Sequence, residues 1–223
     1  MIAPSVSLRI KIDGCSRGAP ELYTNAFIHS RSSLQMNKVR PTHDHNTMTA
    51  WIAFLRGINM GGHNKIKMDD LTRLFESLAL KNVTTFIQSG NVTFETAGKN
   101  ADALARRIGD ALQESLGNEV PVFLRTLSEI QDLVKLDPFK AITADAGDKK
   151  YVVFLYAEPG REPVLPLRSA REGLEAFHIR KREVFVLSRN VNGRFGFPNN
   201  FIEKELGVPA TTRNWTTVSK LIA

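Results

Sequence analysis

From Met48 to the end of the chain, apolar positions switch between short continuous runs, a period of two and a spacing of three to four, with glycine or polar clusters at each switch. WIAFLR (51–56) is an apolar run suited to a buried central strand. MDDLTRLFESLAL then sets Met68, Leu71, Leu74, Phe75 and Leu78 on one helical face. VTTFIQ and NVTFET are β-branched and aromatic runs, joined across Ser89-Gly90 with Asn91 adjacent, which predicts a tight hairpin. NADALARRIGDALQESLG opens on Asn100 as an N-cap, aligns Leu104, Ile108, Leu112 and Leu116, and stops at Gly117. VPVFLR (120–125) is another strand, and TLSE (126–129) is a capping box that starts a further short helix.

The order β-α-β-β-α-β is that of the split βαβ, or ferredoxin-like, unit. The second half reads similarly: KYVVFLY (150–156) as a strand, LRSAREGLEA as a helix, FHIR and EVFVL as a hairpin about Lys181-Arg182, and NNFIEKELG as a helix ending at Gly207. The ends of the two halves overlay: LG…VPVFLRTLSEI pairs with LGVPATTRNWTTV, so that Pro121 meets Pro209, Arg125 meets Arg213 and Ile130 meets Val218, each pair 88 apart (213 − 125). Elsewhere the spacing is not constant, so a duplication is the expectation rather than a strict repeat. The predicted fold is α+β, two ferredoxin-like (α/β-plait) subdomains at 48–140 and 149–223, with antiparallel sheets and helices on one face.

Topology places one candidate site. In a βαββαβ unit the first two strands are parallel and the third returns between them, so the loop after strand one and the tip of the following hairpin lie at one end of the sheet. RGINMGGHNK and QSGN therefore converge, and Arg56, Gly57, Asn59, Gly61, Gly62, His63 and Lys65 face Gln88, Ser89 and Asn91 as a candidate ligand-binding edge. Glycines between a strand and a helix can turn backbone N–H groups toward an anion, aided by the helix N-terminus, while Arg56, Lys65 and Lys67 add cations. The spacing fits neither phosphate template: Gly57-Ile-Asn-Met-Gly61-Gly62 is not GxGxxG, and Gly62 is followed by His63-Asn64 instead of Lys-Ser/Thr. Glycines that only supply positive φ, with Asn59 and Asn64 bonding their own backbone, explain the loop equally well.

Other residues add little chemistry. His63 and His178 are the only histidines after residue 47, which argues against a histidine metal cluster; His63 is an acid–base candidate or a solvated loop residue. Ser89 lacks the G-x-S-x-G frame of a nucleophile elbow and reads as a turn residue. Asn214 is expected to cap the last helix, with Trp215 on the core and Arg213 ending a strand, an anion-binding role for Arg213 being the minor alternative.

LRGINMGGHNKIKM, then FIQSGNVTF, then LGVPATTRNWTTVSKL resemble the uncharacterised bacterial family called domain of unknown function 1697, over about Trp51 to the C-terminus. The resemblance implies two ferredoxin-like subdomains, in agreement with the pattern. It implies no activity, and residues 1–47 lie outside it.

Those 47 residues hold six serines, scattered prolines and no sustained period. A start at Met48, directly before the first strand, is the leading expectation over a disordered tail or an Arg/Ser-rich targeting peptide. The segment contributes six cations against three carboxylates, so the net charge of +7 falls to 7 − 3 = +4 without it, and the only cysteine, Cys15, goes with it. The basic pI of about 9.7 is therefore weak support for a nucleic-acid partner. No run of 18 apolar residues supports a membrane span, and the cysteine usage fits a reducing cytoplasm. Three classes follow: a module binding a small anion such as a phosphorylated metabolite or nucleotide, first; a nucleic-acid binder using a ferredoxin-like sheet, although NVTFET lacks the base-stacking strand signature; and an enzyme of unknown reaction at the same loop. No cofactor and no metal are expected, and the oligomeric state is not legible.

Overall fold

The computed structural model describes residues 48–60 and 64–222; the extension 1–47 and the predicted Gly61, Gly62 and His63 lie outside the described residues. The chain is a mixed α/β protein with antiparallel sheets. Its first half runs β1 (Thr49–Leu55), α1 (Met68–Ser77), β2 (Lys81–Phe86), β3 (Asn91–Thr96), α2 (Ala101–Leu116), β4 (Val122–Thr126) and α3 (Leu127–Leu136). The strands lie in the order β2-β3-β1-β4. The local chemistry fixes the helix ends: Asn100 Oδ1 accepts from Ala103 N, Gly117 closes α2 at φ 73°, and Thr126 with Glu129 forms a capping box.

The second half runs β5 (Lys149–Leu155), β6 (Leu167–Ser169), β7 (Leu174–Arg180), β8 (Glu183–Ser188), β9 (Asn190–Val191), β10 (Arg194–Phe195), α4 (Asn199–Leu206), β11 (Ala210–Asn214) and α5 (Trp215–Lys220). Its larger sheet has the order β11-β5-β8-β7-β6. The helix expected over LRSAREGLEA is instead a hairpin, in which Leu167 to Ser169 pair with Leu174 to Ala176. Leu167, Ala170 and Leu174 imitate a helical stripe, but Gly173 sits at φ 65°, where a Cβ would lie 2.5 Å from the Arg189 carbonyl oxygen. That close backbone approach needs glycine and holds the segment against the sheet. The first hairpin is also wider than expected: Phe86 pairs with Asn91, so residues 87–90 form the connection, not Ser89-Gly90 alone.

Alternation along β1 builds two cores. Trp51, Ala53 and Leu55 point to α1 and α2, among Leu71, Phe75, Leu104, Ile108 and Leu112. Ile52 and Phe54 point the other way, onto Val152, Phe154 and Phe185 of the second sheet and Ile130, Leu133 and Val218 of α3 and α5. The second sheet buries its far face against Ile202 of α4. Thus α1 and α2 cover one face of the first sheet and α4 the far face of the second, while the remaining faces pack together with α3 and α5, so β1 and β5 are buried on both sides. Among the described residues no helix is long and apolar enough to cross a membrane.

Two buried arginines join the sheets reciprocally. Arg125, 1% exposed on β4, donates from Nε to Glu183 Oε1 at 2.5 Å and from Nη2 to the carbonyls of Leu155 (2.9 Å) and Arg182 (3.1 Å). Arg213, 8% exposed on β11, donates from Nε to Asn91 Oδ1 at 2.6 Å and from Nη2 to the carbonyls of Leu55 (2.8 Å) and Ser89 (3.2 Å). Each arginine therefore holds the end of the first strand and the hairpin of the opposite half. Phe54 and Phe154 stack between them with centroids 4.1 Å apart, and each guanidinium carbon lies 5.5 Å from the nearer ring centroid. Removing one partner of such a buried ion pair strands the other. Glu183→Gln is expected to cost about 3 kcal/mol, read as a lower urea midpoint with unchanged slope. An unchanged midpoint would show that Glu183 is dispensable to Arg125.

Candidate functional site

Leu55 ends β1 and Arg56 opens the loop that sequence pattern places beside QSGN. Leu55 N donates to the Gly90 carbonyl (2.8 Å), and Asn59 Nδ2 donates to the carbonyls of Ile66 (3.0 Å) and Gln88 (3.2 Å). Gly90 sits at φ 73°, and a Cβ there would stand 3.0 Å from Leu55 Cβ and 3.1 Å from Ile58 Cβ, so loop and hairpin touch through a position only glycine fits. Asn59, at φ 54°, also accepts from Ile66 N, which makes it the clasp of its own loop.

The candidate residues divide between two sides of this edge. Asn59, Lys65 and Gln88 border an open depression of about 760 Å³ with Lys67, Asp70 and Ser115. Arg56, Gly57 and Ser89 border a second cleft, of about 420 Å³, that reaches across to β11 and α4. Asn91 lies beneath it, fully buried, with its Nδ2 donating to Phe86 O (3.1 Å) and to Ser89 Oγ (2.9 Å). Arg56 is not a free cation: Nη1 and Nη2 reach the two carboxylate oxygens of Glu203 at 2.5 and 3.1 Å. Glu203 Oε1 also accepts from Ala210 N, which ties the loop to the start of β11.

The 420 Å³ cleft has a counterpart. Val122, Phe123, Leu124 and Arg125 occupy in the first half the places of Ala210, Thr211, Thr212 and Arg213, and the backbone bond from Arg56 N to Pro121 O (3.0 Å) is matched by Tyr156 N to Pro209 O (2.9 Å). The space beside Arg125, lined by Tyr156 and Arg182, measures only about 10 Å³. The charge differs as well as the volume. Arg125 faces the carboxylate of Glu183, whereas the position facing Arg213 is the neutral amide Asn91. With no carboxylate among the described residues to offset its desolvation, the Arg213 guanidinium is pushed down to about 10, still protonated at neutral pH.

Arg213 Nη1 also donates to Thr211 Oγ1 and to the Thr212 carbonyl, both at 2.9 Å. Thr212 Oγ1 in turn donates to Asn199 Oδ1 at 3.2 Å. Thr211, Thr212, Asn199 and Arg213 all line the cleft, and no carboxylate does among the described residues. His178 lies elsewhere, on β7, its ring 5.6 Å from Phe185 and its imidazole lowered by burial and then by Arg180. Asn214 occupies the N-cap position of α5 but makes no side-chain capping bond. Among the described residues no three His, Cys, Asp or Glu side chains gather as metal ligands.

Sequence reasoning missed the far wall, Thr211, Thr212, Asn199 and Phe197, because they belong to the other half and no pattern in the sequence brings that half to this edge. It also missed Ile87, a β-branched residue at φ 51° and half exposed on the cleft rim. Such a conformation costs on the order of 1–3 kcal/mol and clusters at functional sites. Ile87→Gly is expected to raise stability by about 1 kcal/mol, the relieved strain exceeding the added chain entropy. A loss of stability in chemical denaturation would show that the side chain stabilises the fold.

The solved structure of the conserved bacterial protein SP0830 from Streptococcus pneumoniae is similar to this chain, with 22% identity, a TM-score of 0.51, and coverage of 78% of this chain and 97% of that one. At that identity the likeness shows the fold alone. No curated protein matches the chain. The family described as "Protein of unknown function (DUF1697)" matches residues 48–185. Its match spans most of the chain, and the chain belongs to that family.

Proposed function

We propose that this chain is a duplicated pair of subdomains, 48–140 and 149–223, in which one of two equivalent positions is open and binds a small anion, a phosphorylated metabolite or a nucleotide. The observation that carries the reading is Arg213: a buried guanidinium that faces an amide where its counterpart faces a carboxylate, beside a cleft of about 420 Å³ where its counterpart has about 10 Å³. A buried cation without a counter-charge is unfavourable, and an anion in the adjacent cleft offsets that cost. The hydroxyls point the same way. Thr211 Oγ1 accepts from Arg213 and Ser89 Oγ accepts from Asn91, so each has its proton left to donate into the cleft.

The competing classes have less support. A nucleic-acid-binding sheet needs an open face, and the central strands are covered on both. An enzyme acting through a nucleophile with a base, or through a carboxylate pair, would need side chains that the described lining does not supply.

Anion binding to the folded state raises the melting temperature by mass action. Inorganic phosphate, pyrophosphate and a set of sugar and nucleoside phosphates are expected to stabilise the full chain. Asn91→Asp, which supplies the carboxylate internally, is expected to weaken that binding at least about tenfold, and Arg56→Ala, which releases Glu203, to weaken it similarly. Lys65→Ala, on the other depression, leaves it unchanged. If no anion stabilises the protein, or both Asn91→Asp and Arg56→Ala bind as tightly as the parent, the reading fails.

A further inference from the structure

We infer that the ligand of this cleft is an oxyanion carried on a ring or comparable apolar body, and that Phe197 is the surface on which that body rests. The inference deepens the anion reading and depends on it. Its own observation is the rim. The exposed large apolar side chains of the described chain are Met48, Met60, Ile87, Leu136, Tyr156, Val164 and Phe197, and three of these seven, Met60 (60% exposed), Ile87 (52%) and Phe197 (54%), border this one cleft. Scattered exposed apolar residues need no explanation, but three drawn from separate segments and converging on a single concavity mark a contact surface.

Phe197 is exposed yet oriented. Its ring packs at 79° against Tyr151, centroids 5.9 Å apart, and the following Pro198 restricts its backbone at the start of α4. Ile87 borders the same cleft at a positive φ, on a hairpin whose carbonyls Arg213 binds. Thr211, Asn199 and the Arg213 guanidinium give the same cleft a polar lining, with Thr211 Oγ1 accepting from Arg213. The volume of about 420 Å³ lies within the range of small-molecule sites and exceeds what one inorganic anion fills. Polar donors on one wall and apolar side chains on the rim describe a ligand with two unlike ends.

The test compares four probes on the full chain by equilibrium titration: inorganic phosphate, phenyl phosphate, benzoate and phenol. Phenyl phosphate or benzoate is expected to bind about tenfold or more tightly than inorganic phosphate, as burial of part of one ring implies. The preferred head group then separates a phosphate from a carboxylate ligand. Phe197→Ala is expected to abolish the gain from the ring and leave affinity for inorganic phosphate unchanged, with Phe197→Leu retaining part of it. Equal affinity for phenyl phosphate, benzoate and inorganic phosphate, or a ring-dependent gain that survives Phe197→Ala, overturns this inference and leaves the anion reading standing. Phenol binding as tightly as phenyl phosphate, or no binding by any probe, overturns the anion reading and this inference with it.

Discussion

The fold depends on a four-member column, Arg213, Phe54, Phe154 and Arg125, that runs through the contact between the two sheets. Two nearly parallel rings, 13° apart in plane with centroids 4.1 Å apart, stack through their electron-rich faces. A guanidinium on each outer face favours that electron density, so the column is more favourable than its ring pair alone. The same guanidiniums donate to the carbonyls at the ends of β1 and β5 and at the two hairpins, which ties each arginine to the backbone of the opposite half. Hydrophobic burial supplies the contact area, but the arginines set how one half sits on the other.

Once that brace is in place, the candidate site follows from a difference between its two ends. At the Arg125 end the chain is closed: a carboxylate neutralises the charge and Tyr156 stands where Arg56 stands in the first half. At the Arg213 end the carboxylate is replaced by Asn91, the neighbouring phenylalanine of β4 by Thr211 of β11, and the space stays open. Substitutions that empty a volume, remove a counter-charge and add hydroxyl donors are all unfavourable to an unliganded core. Their coincidence at one end is the pattern on which the proposed anion binding rests.

Much of the first half was legible because each element carries its own local signal. Asn100, Gly117 and the Thr126–Glu129 box fix helix ends through bonds between residues three or four apart, and the apolar faces of α1 and α2 repeat at helical spacing. The second half was read less well where tertiary contact decided the outcome: Gly173, packed on the Arg189 backbone, turned an apparent helical stripe into a hairpin, and Asn192-Gly193 marked a short turn that passed unread. The likeness of the two halves is visible in the sequence only at their ends because the offset between corresponding positions changes, from 155 − 55 = 100 at the first strands to 183 − 91 = 92 at the hairpins and 213 − 125 = 88 at the last strands. For the site, the meeting of the Arg56 loop with the Ser89 hairpin followed from topology. The ion pair that occupies Arg56, the burial of Arg213 and the β11 wall did not, since they arise between residues more than 100 apart in the chain.

The account rests on Arg213 being a cation completed from outside and Arg125 being one completed from within. The measurement that separates them is arginine side-chain NMR, following the Nε–H resonances of both residues while phenyl phosphate is titrated into the full chain. The account predicts a saturable shift at Arg213 with Arg125 unmoved. Two resonances that stay fixed at saturating ligand, or that move together, would contradict it.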